Sequence, residues 1–242
     1  MEILVINPNT SEEMTAAIAI ECQKMAQPTT TITTISPPTG PRSIESYTED
    51  YVASVSMMEA ALERRGQFDA LVVACFDDPG LHALRELLDV PVIGIAEASM
   101  HMACLVAEQF SVVTVLGRAK RRIEQTVRRS GMVERCASVR TVELSVLEIE
   151  EDFDRAQEMI AAEARRALDE DGAEAICLGC AGLGPLDKKL QAELGVPVLD
   201  GCGCAITLAQ ACFDYGITTS KYLSYLKPAP KEYLGWPAFH TI

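Results

Sequence analysis

The sequence predicts an α/β fold of two pseudo-symmetric lobes, about 1–100 and 105–210, each a mainly parallel sheet flanked by helices and facing the other across a cleft. A first observation is that apolar, β-branched runs alternate with helical stripes through most of the 242 residues, as parallel strands joined by crossover helices require. The second is an internal repeat. Leu71–Ala74 reads as a buried strand ending on Cys75, Asp78-Pro79-Gly80 turns the chain, Leu81–Leu88 suits a helix, and Val92–Ile95 is the next strand. The same phrase returns with Ala175–Gly179, Cys180, the turn Ala181–Pro185, a helix and Val196–Leu199. Cys75 stands 16 residues before Pro91, and Cys180 stands 17 before Pro197.

Taken in order, Ile3–Ile6 is the first buried strand, and Asn7-Pro8-Asn9-Thr10-Ser11 leads into a helical stripe at Met14, Ile18 and Cys22. A strand–loop–helix turn aims backbone N–H groups at its loop. Asn9 therefore either caps the helix or binds a polar ligand beyond the carboxyl ends of the strands. Thr31–Ile35 alternates like a strand near an edge, and Ser36–Pro41 is a Pro/Gly loop. Val52, Val55, Met58 and Leu62 have the spacing of a core-facing helix over Glu49–Arg65. After the Cys75 unit, a helix is expected over Glu97–Glu108. Round two runs through a strand at Ser111–Leu116, a basic helix at Ala119–Gly131, a strand at Ser138–Leu144 and a helix at Asp152–Asp169. It closes with the Cys180 unit and a helix at Cys202–Phe213, and residues 216–242 form a tail packing back on the body.

Composition narrows the function. A net charge of −14 disfavours nucleic-acid partners, which select basic surfaces, and 5% aromatic residues leave little for stacking platforms. No apolar stretch suits a bilayer span, and no basic leader precedes the first strand, so a cytoplasmic protein without membrane contact is expected. The nine cysteines are then expected as reduced thiols. A homo-oligomer is expected from the apolar helices.

Four chemistries suit such cysteines. Cys177-x-x-Cys180 with Cys202-x-Cys204 has the outline of a four-thiolate metal site, but residues three apart on a strand face opposite ways, so no metal is expected. The same divergence disfavours a Cys177/Cys180 redox pair. A cysteine nucleophile needs a histidine, and none of His82, His101 and His240 has a recognisable acid partner in sequence. The fourth is proton transfer between two thiols on opposite sides of one ligand. A thiolate removes an acidic C–H proton and the opposite thiol returns one, inverting a stereocentre with no cofactor; helix N-termini and amides would favour the thiolate. Cys75 and Cys180 end two duplicated strands, where they serve either as this pair or as small apolar residues.

The chain resembles the aspartate/glutamate/hydantoin racemase family, and most closely its hydantoin and allantoin branch. The resemblance is carried by Ile6–Thr10, Ser43-Ile44-Glu45, Cys75-Phe76 with Asp78–Leu81, Pro91–Ala98, Leu178–Gly182, and Val196-Pro197-Val198 with Asp200-Gly201. It implies an active site in the cleft, Cys75 and Cys180 as acid and base, and no cofactor. It also implies substrate contacts from Asn9, Ser43, Phe76, Asp77, Ala181 and Gly182. The expected substrate is a small molecule with a hydantoin-like imide ring. Allantoin is the close variant, a one-cysteine decarboxylase or maleate isomerase the enzymic alternative, and a ligand-binding protein the non-enzymic one. The amino-acid racemases of the family carry Asn-Thr after the first cysteine and Thr-Glu after the second, whereas Phe76-Asp77 and Ala181-Gly182 stand here. Few Lys or Arg neighbour the motifs, which fits a neutral ring. Asp77 stands where relatives usually have Gly. Its carboxylate either bonds ring N–H groups, raises the thiol's pKa by like-charge repulsion, or points to solvent.

Overall fold

A computed structural model of the chain describes residues 1–145, 148–149 and 152–241, the side chains of 240 and 241 excepted. The duplication is visible in the sheet topology. Strands β1 (Glu2–Ile6), β2 (Thr31–Ile35), β3 (Ala70–Val73) and β4 (Val92–Gly94) form one parallel sheet in the order β2-β1-β3-β4. Strands β5 (Phe110–Thr114), β6 (Cys136–Thr141), β7 (Ala175–Leu178) and β8 (Val198–Leu199) form a second in the order β6-β5-β7-β8. The two orders are the same pattern. Val73 ends β3 two residues before Cys75, and Leu178 ends β7 two residues before Cys180.

Strand alternation sorts the first sheet onto two cores. Leu4, Ile6, Leu71 and Val73 face one way, toward α2 (Tyr47–Glu63) and α3 (Leu81–Leu87). Ile3, Val5, Ala70 and Val72 face the other, into a core that runs on without a break to the second sheet. Helix α1 (Glu12–Lys24) contributes Met14, Ile18 and Cys22 to that shared core, and its N-cap Ser11 accepts from Met14 N at 3.1 Å. Helices α5 (Lys120–Arg129) and α6 (Phe153–Asp171) flank the second sheet, and α7 (Asp187–Leu194) precedes β8.

Helices α4 (Ile95–Val106) and α8 (Gly201–Tyr215) exchange partners. Although α4 follows β4 in sequence, it packs on β7, β5 and β8, while α8 crosses to β3 and β4. They also pack on each other, so closely that a Cβ on Gly201 would lie 2.9 Å from the Ile95 carbonyl oxygen. The tail returns to the first lobe, where Thr219 Oγ1 donates to the Val90 carbonyl at 2.8 Å and the Tyr225 hydroxyl pairs with His82 Nδ1 at 2.9 Å.

Two expectations need correction. The core face of α2 is Ala53, Met57, Ala60, Ala61 and Leu62, whereas Val52 is 50% exposed. Small alanines bring the helix close to the sheet, which leaves the bulkier Val55 and Met58 on the flanks of the contact. Helix α4 begins at Ile95, not Glu97, because the chain turns from strand to helix at Gly94 and Asp78 caps the new helix from outside. Asp78 accepts from Ala96 N at 3.1 Å and Glu97 N at 2.9 Å.

The second repeat makes the same cap with the residues interchanged. There Asp200, at the N-cap itself, accepts from Cys202 N at 3.3 Å and Gly203 N at 2.7 Å. Each carboxylate sits over a glycine: a Cβ on Gly94 would lie 2.2 Å from Asp78 Cγ, and one on Gly184 would lie 3.0 Å from Asp200 Oδ1. Gly94→Ala therefore forces the Asp78 cap out of place. A loss of about 1–3 kcal/mol is expected from overpacking and the broken cap together. Denaturant unfolding checks this, and wild-type stability in Gly94→Ala would contradict the cap geometry.

Candidate active site

The cleft opens at the carboxyl ends of the two central strands of each sheet, where the strand order reverses direction and ligands of open α/β sheets bind. From the first lobe come Asn9 and Met14 beyond β1, Ile44, and Ala74–Asp77 beyond β3. From the second come Thr114 and Val115 at the end of β5, Ala119, Arg122 and Ile123 from the start of α5, and Gly179–Ala181 beyond β7. They bound about 490 Å³, part of it open to solvent. Cys75 and Cys180 both line it, both are partly exposed, and none of the nine cysteines forms a disulfide.

Other predicted residues fall at different depths. Phe76, Asp77 and Ala181 line the cleft, and Gly182 lies just behind it, its Cβ position 3.8 Å from Cys180 Sγ. Ser43 is set back, and its neighbour Ile44 forms the wall instead. Asn9 does two jobs at once. Its Oδ1 accepts from Ser11 N at 2.9 Å and Asn7 Nδ2 at 2.8 Å, which fixes the amide's orientation. Its Nδ2 then meets Met14 Sδ at 3.3 Å, a weak acceptor, so a donor faces the cleft with capacity to spare. Cys177, by contrast, is fully buried in the shared core, as are Cys22 and Cys202, whose thiols hydrogen-bond each other.

Asp77 does not point to solvent. It is 7% exposed, and its Oδ2 pairs with Arg122 Nη2 at 2.6 Å. Burial pushes its carboxyl up to about 6, against the pull of Arg122. Asp77 in turn acts on the thiol two residues back. Burial pushes Cys75 well above its ordinary value, and the Asp77 carboxylate pushes it the same way, while the Asp77 backbone N–H, bonded to the sulfur, opposes both. Burial and like charge thus outweigh the amide donors, and Cys75 rests as a thiol, contrary to the expected thiolate.

Arg122 is the residue sequence reasoning missed. Its nearest motif is 40 or more positions away in sequence, and the basic stretch Lys120-Arg121-Arg122 reads as a solvated helix face. The usable signal is periodicity: Ala119, Arg122, Ile123 and Thr126 share the buried side of α5. The scarcity of basic residues beside the motifs therefore misleads, since α5 brings them across the cleft. Thr126 Oγ1 and Arg129 Nη2 each donate to the Asp77 carbonyl at 3.3 Å, and the Tyr47 hydroxyl donates to Gln125 Oε1 at 3.2 Å.

Comparison with known proteins places this fold and cleft in a class. The solved structure of an allantoin racemase from Klebsiella pneumoniae superposes with a TM-score of 0.94 at 40% identity, covering 96% of each chain. That of an allantoin racemase from Pseudomonas fluorescens gives 0.95 at 40% identity, covering 97% of this chain and all of the other. The protein is an isomerase of the racemase class. A hydantoin racemase from Pseudomonas sp. (strain NS671) is 44% identical over 236 residues, 97% of this chain and 95% of its own. Residues 3–209 match the model of the Asp/Glu/Hydantoin racemase family, and the chain belongs to that family.

The electrostatics make the thiol testable on its own. Asp77→Asn removes the charge that opposes the Cys75 thiolate and leaves Arg122 uncompensated, so both changes lower the thiol's pKa. At pH 8, where wild-type Asp77 is ionised, alkylation of Cys75 by iodoacetamide should accelerate about 3–10-fold, a unit of pKa being tenfold in thiolate. Mass spectrometry of the Cys75 peptide follows it. A slower or unchanged rate would show that burial alone sets the thiol.

Proposed function

We propose that the chain racemises 5-substituted hydantoins by moving a proton at C5 between Cys75 and Cys180. One observation carries this reading: two thiols occupy equivalent positions, two residues past the ends of duplicated strands, and line one cleft from opposite lobes. The relatives' names supply the substrate class. The wall supports it too, because Met14, Ile44, Phe76, Val115 and Ile123 suit a neutral ring, and the single buried cation, Arg122, is already matched by Asp77.

In one direction the Cys180 thiolate takes the C5 proton, and the bonding pair moves onto the C4 carbonyl as an enolate. Cys75, held as a thiol by burial and by Asp77, then delivers its proton to the opposite face of C5. The enolate collapses, leaving the other enantiomer with Cys180 protonated and Cys75 as thiolate. The reverse direction uses the same atoms with roles exchanged. No atom or electron is gained from outside. Donors for the enolate oxygen come from the backbone amides following each cysteine and from Asn9 Nδ2, which has no strong acceptor of its own. Closure of the ring over the thiols also shields the enolate from water.

Cys75→Ser and Cys180→Ser should each lower racemisation by about 10²–10⁴-fold, the usual contribution of a positioned acid or base. Each single variant should still exchange the C5 proton of one enantiomer with deuterated solvent, and the two should favour opposite hands. Polarimetry and proton NMR on an enantiopure hydantoin read both. Undiminished turnover in either variant would sink the two-thiol mechanism.

A further inference from the structure

We propose that the Asp77–Arg122 pair reads the substituent at C5, and that it selects a ureide, a group presenting N–H beside C=O, over an alkyl or aryl group. The inference rests on the reading above that the substrate is a 5-substituted hydantoin.

The pair is joined at one point only. Arg122 Nη2 meets Asp77 Oδ2 at 2.6 Å, while Asp77 Oδ1, Arg122 Nε and Arg122 Nη1 are shielded from solvent and find no hydrogen-bond partner. Both residues line the cleft, and they are respectively 7% and 4% exposed. Leaving three charged-group atoms unpartnered in a buried site is unfavourable, and a ligand that satisfies them is selected by more than its contact area. A carboxylate oxygen beside guanidinium N–H groups is an acceptor next to donors. Its complement is a donor next to an acceptor, the arrangement of a ureide: N–H to Asp77 Oδ1, and carbonyl oxygen to the guanidinium.

Charge and position agree with this. The ion pair is internally balanced, so it favours a neutral polar group over a carboxylate, which would compete with Asp77 for the same cation. The side chains around it on the wall, Met14, Ile44, Val115 and Ile123, offer no other polar partner for a substituent. The ring has donors elsewhere, since C5 must lie between Cys75 and Cys180 and Asn9 Nδ2 stands on the β1 side. Arg122 is also held in place from behind: its guanidinium lies over the Tyr47 ring at 5.9 Å. An alkyl substituent would cover the unpartnered atoms and satisfy none of them.

The test compares kcat/KM, by polarimetry, for enantiopure allantoin, whose 5-substituent is a ureido group, and for 5-isopropylhydantoin. Wild-type enzyme should favour allantoin by about 100-fold or more, as sites built to hydrogen-bond a substrate reject analogues lacking the group. Replacing the pair by apolar residues of similar shape, Asp77→Leu with Arg122→Met, should bring the ratio to near unity. The amide pair Asp77→Asn with Arg122→Gln, which keeps an acceptor beside donors, should retain part of it. A wild-type ratio under about 10 overturns the proposal whether or not the double variants fold, as does an unchanged ratio in a folded Leu/Met variant. Racemisation of 5-isopropylhydantoin alone would defeat the ureide assignment and leave the racemase reading standing. Turnover of neither compound by wild-type enzyme would defeat both.

Discussion

The crossing of α4 and α8 is the contact on which the cleft depends. Each helix leaves the last strand of its own sheet and lands on the other sheet, so neither lobe completes its core alone. Backbone meets backbone at Gly201 and Ile95, where any larger residue would push the lobes apart. The helix starts at this crossing are satisfied by Asp78 and Asp200. Asp78 is three residues beyond Cys75, and Gly184, which makes room for Asp200, is four beyond Cys180. The segments that carry the thiols are thereby tied to the segments that hold the lobes together. A change in the crossing would move both sulfurs.

Within that frame the two sides of the cleft are chemically unlike. Cys180 is followed by Ala181 and Gly182, which bring no charge. Cys75 is followed by a buried carboxylate whose partner arrives from the opposite lobe. A buried ion pair gives up the hydration of both groups and recovers it only when all their hydrogen-bonding atoms are matched, and three are not. An apolar pair of the same volume would fill this site at less cost to the fold. The natural place to look for the compensation is the ligand, because strained or unsatisfied groups gathered at a cleft bear on binding before stability. The same carboxylate keeps Cys75 protonated, so one residue acts both on the thiol and on the substituent.

The fold was legible because its strands are buried on both faces. Ile3–Ile6 and Ala175–Leu178 are unbroken apolar runs, and the repeat around the cysteines fixes which strands correspond. Cys177 and Cys180 were separable for the same reason, since one lies in a strand and the other past its end. Two kinds of feature were not legible. The α2 face was misjudged because valine and methionine outrank alanine in hydrophobicity, while close packing on a sheet favours alanine. Arg122 was hidden because its function depends on a partner 45 residues earlier, and a charged residue on a helix looks solvated until the helix is docked. Asp77 could be singled out as a departure, but its three possible roles differ only in what stands opposite, which is a tertiary fact.

Unlike surroundings for the two thiols raise a question of balance. Racemisation at a single stereocentre interconverts species of equal free energy, so kcat/KM must be the same for both hands whatever the site looks like. Asp77 and Arg122 cannot favour one direction overall. They can shift how the common barrier is divided: a protonated Cys75 is ready to donate but must first be deprotonated to act as base. The hand that meets Cys75 as donor finds the resting protonation state, and the hand that meets it as acceptor waits for a rarer one. Asymmetry therefore enters kcat and KM separately, in compensating amounts, and enters the pH dependence of each. Duplication supplied two thiols, and the later divergence of their neighbours left the equilibrium untouched while adapting one side of the cleft to the substituent.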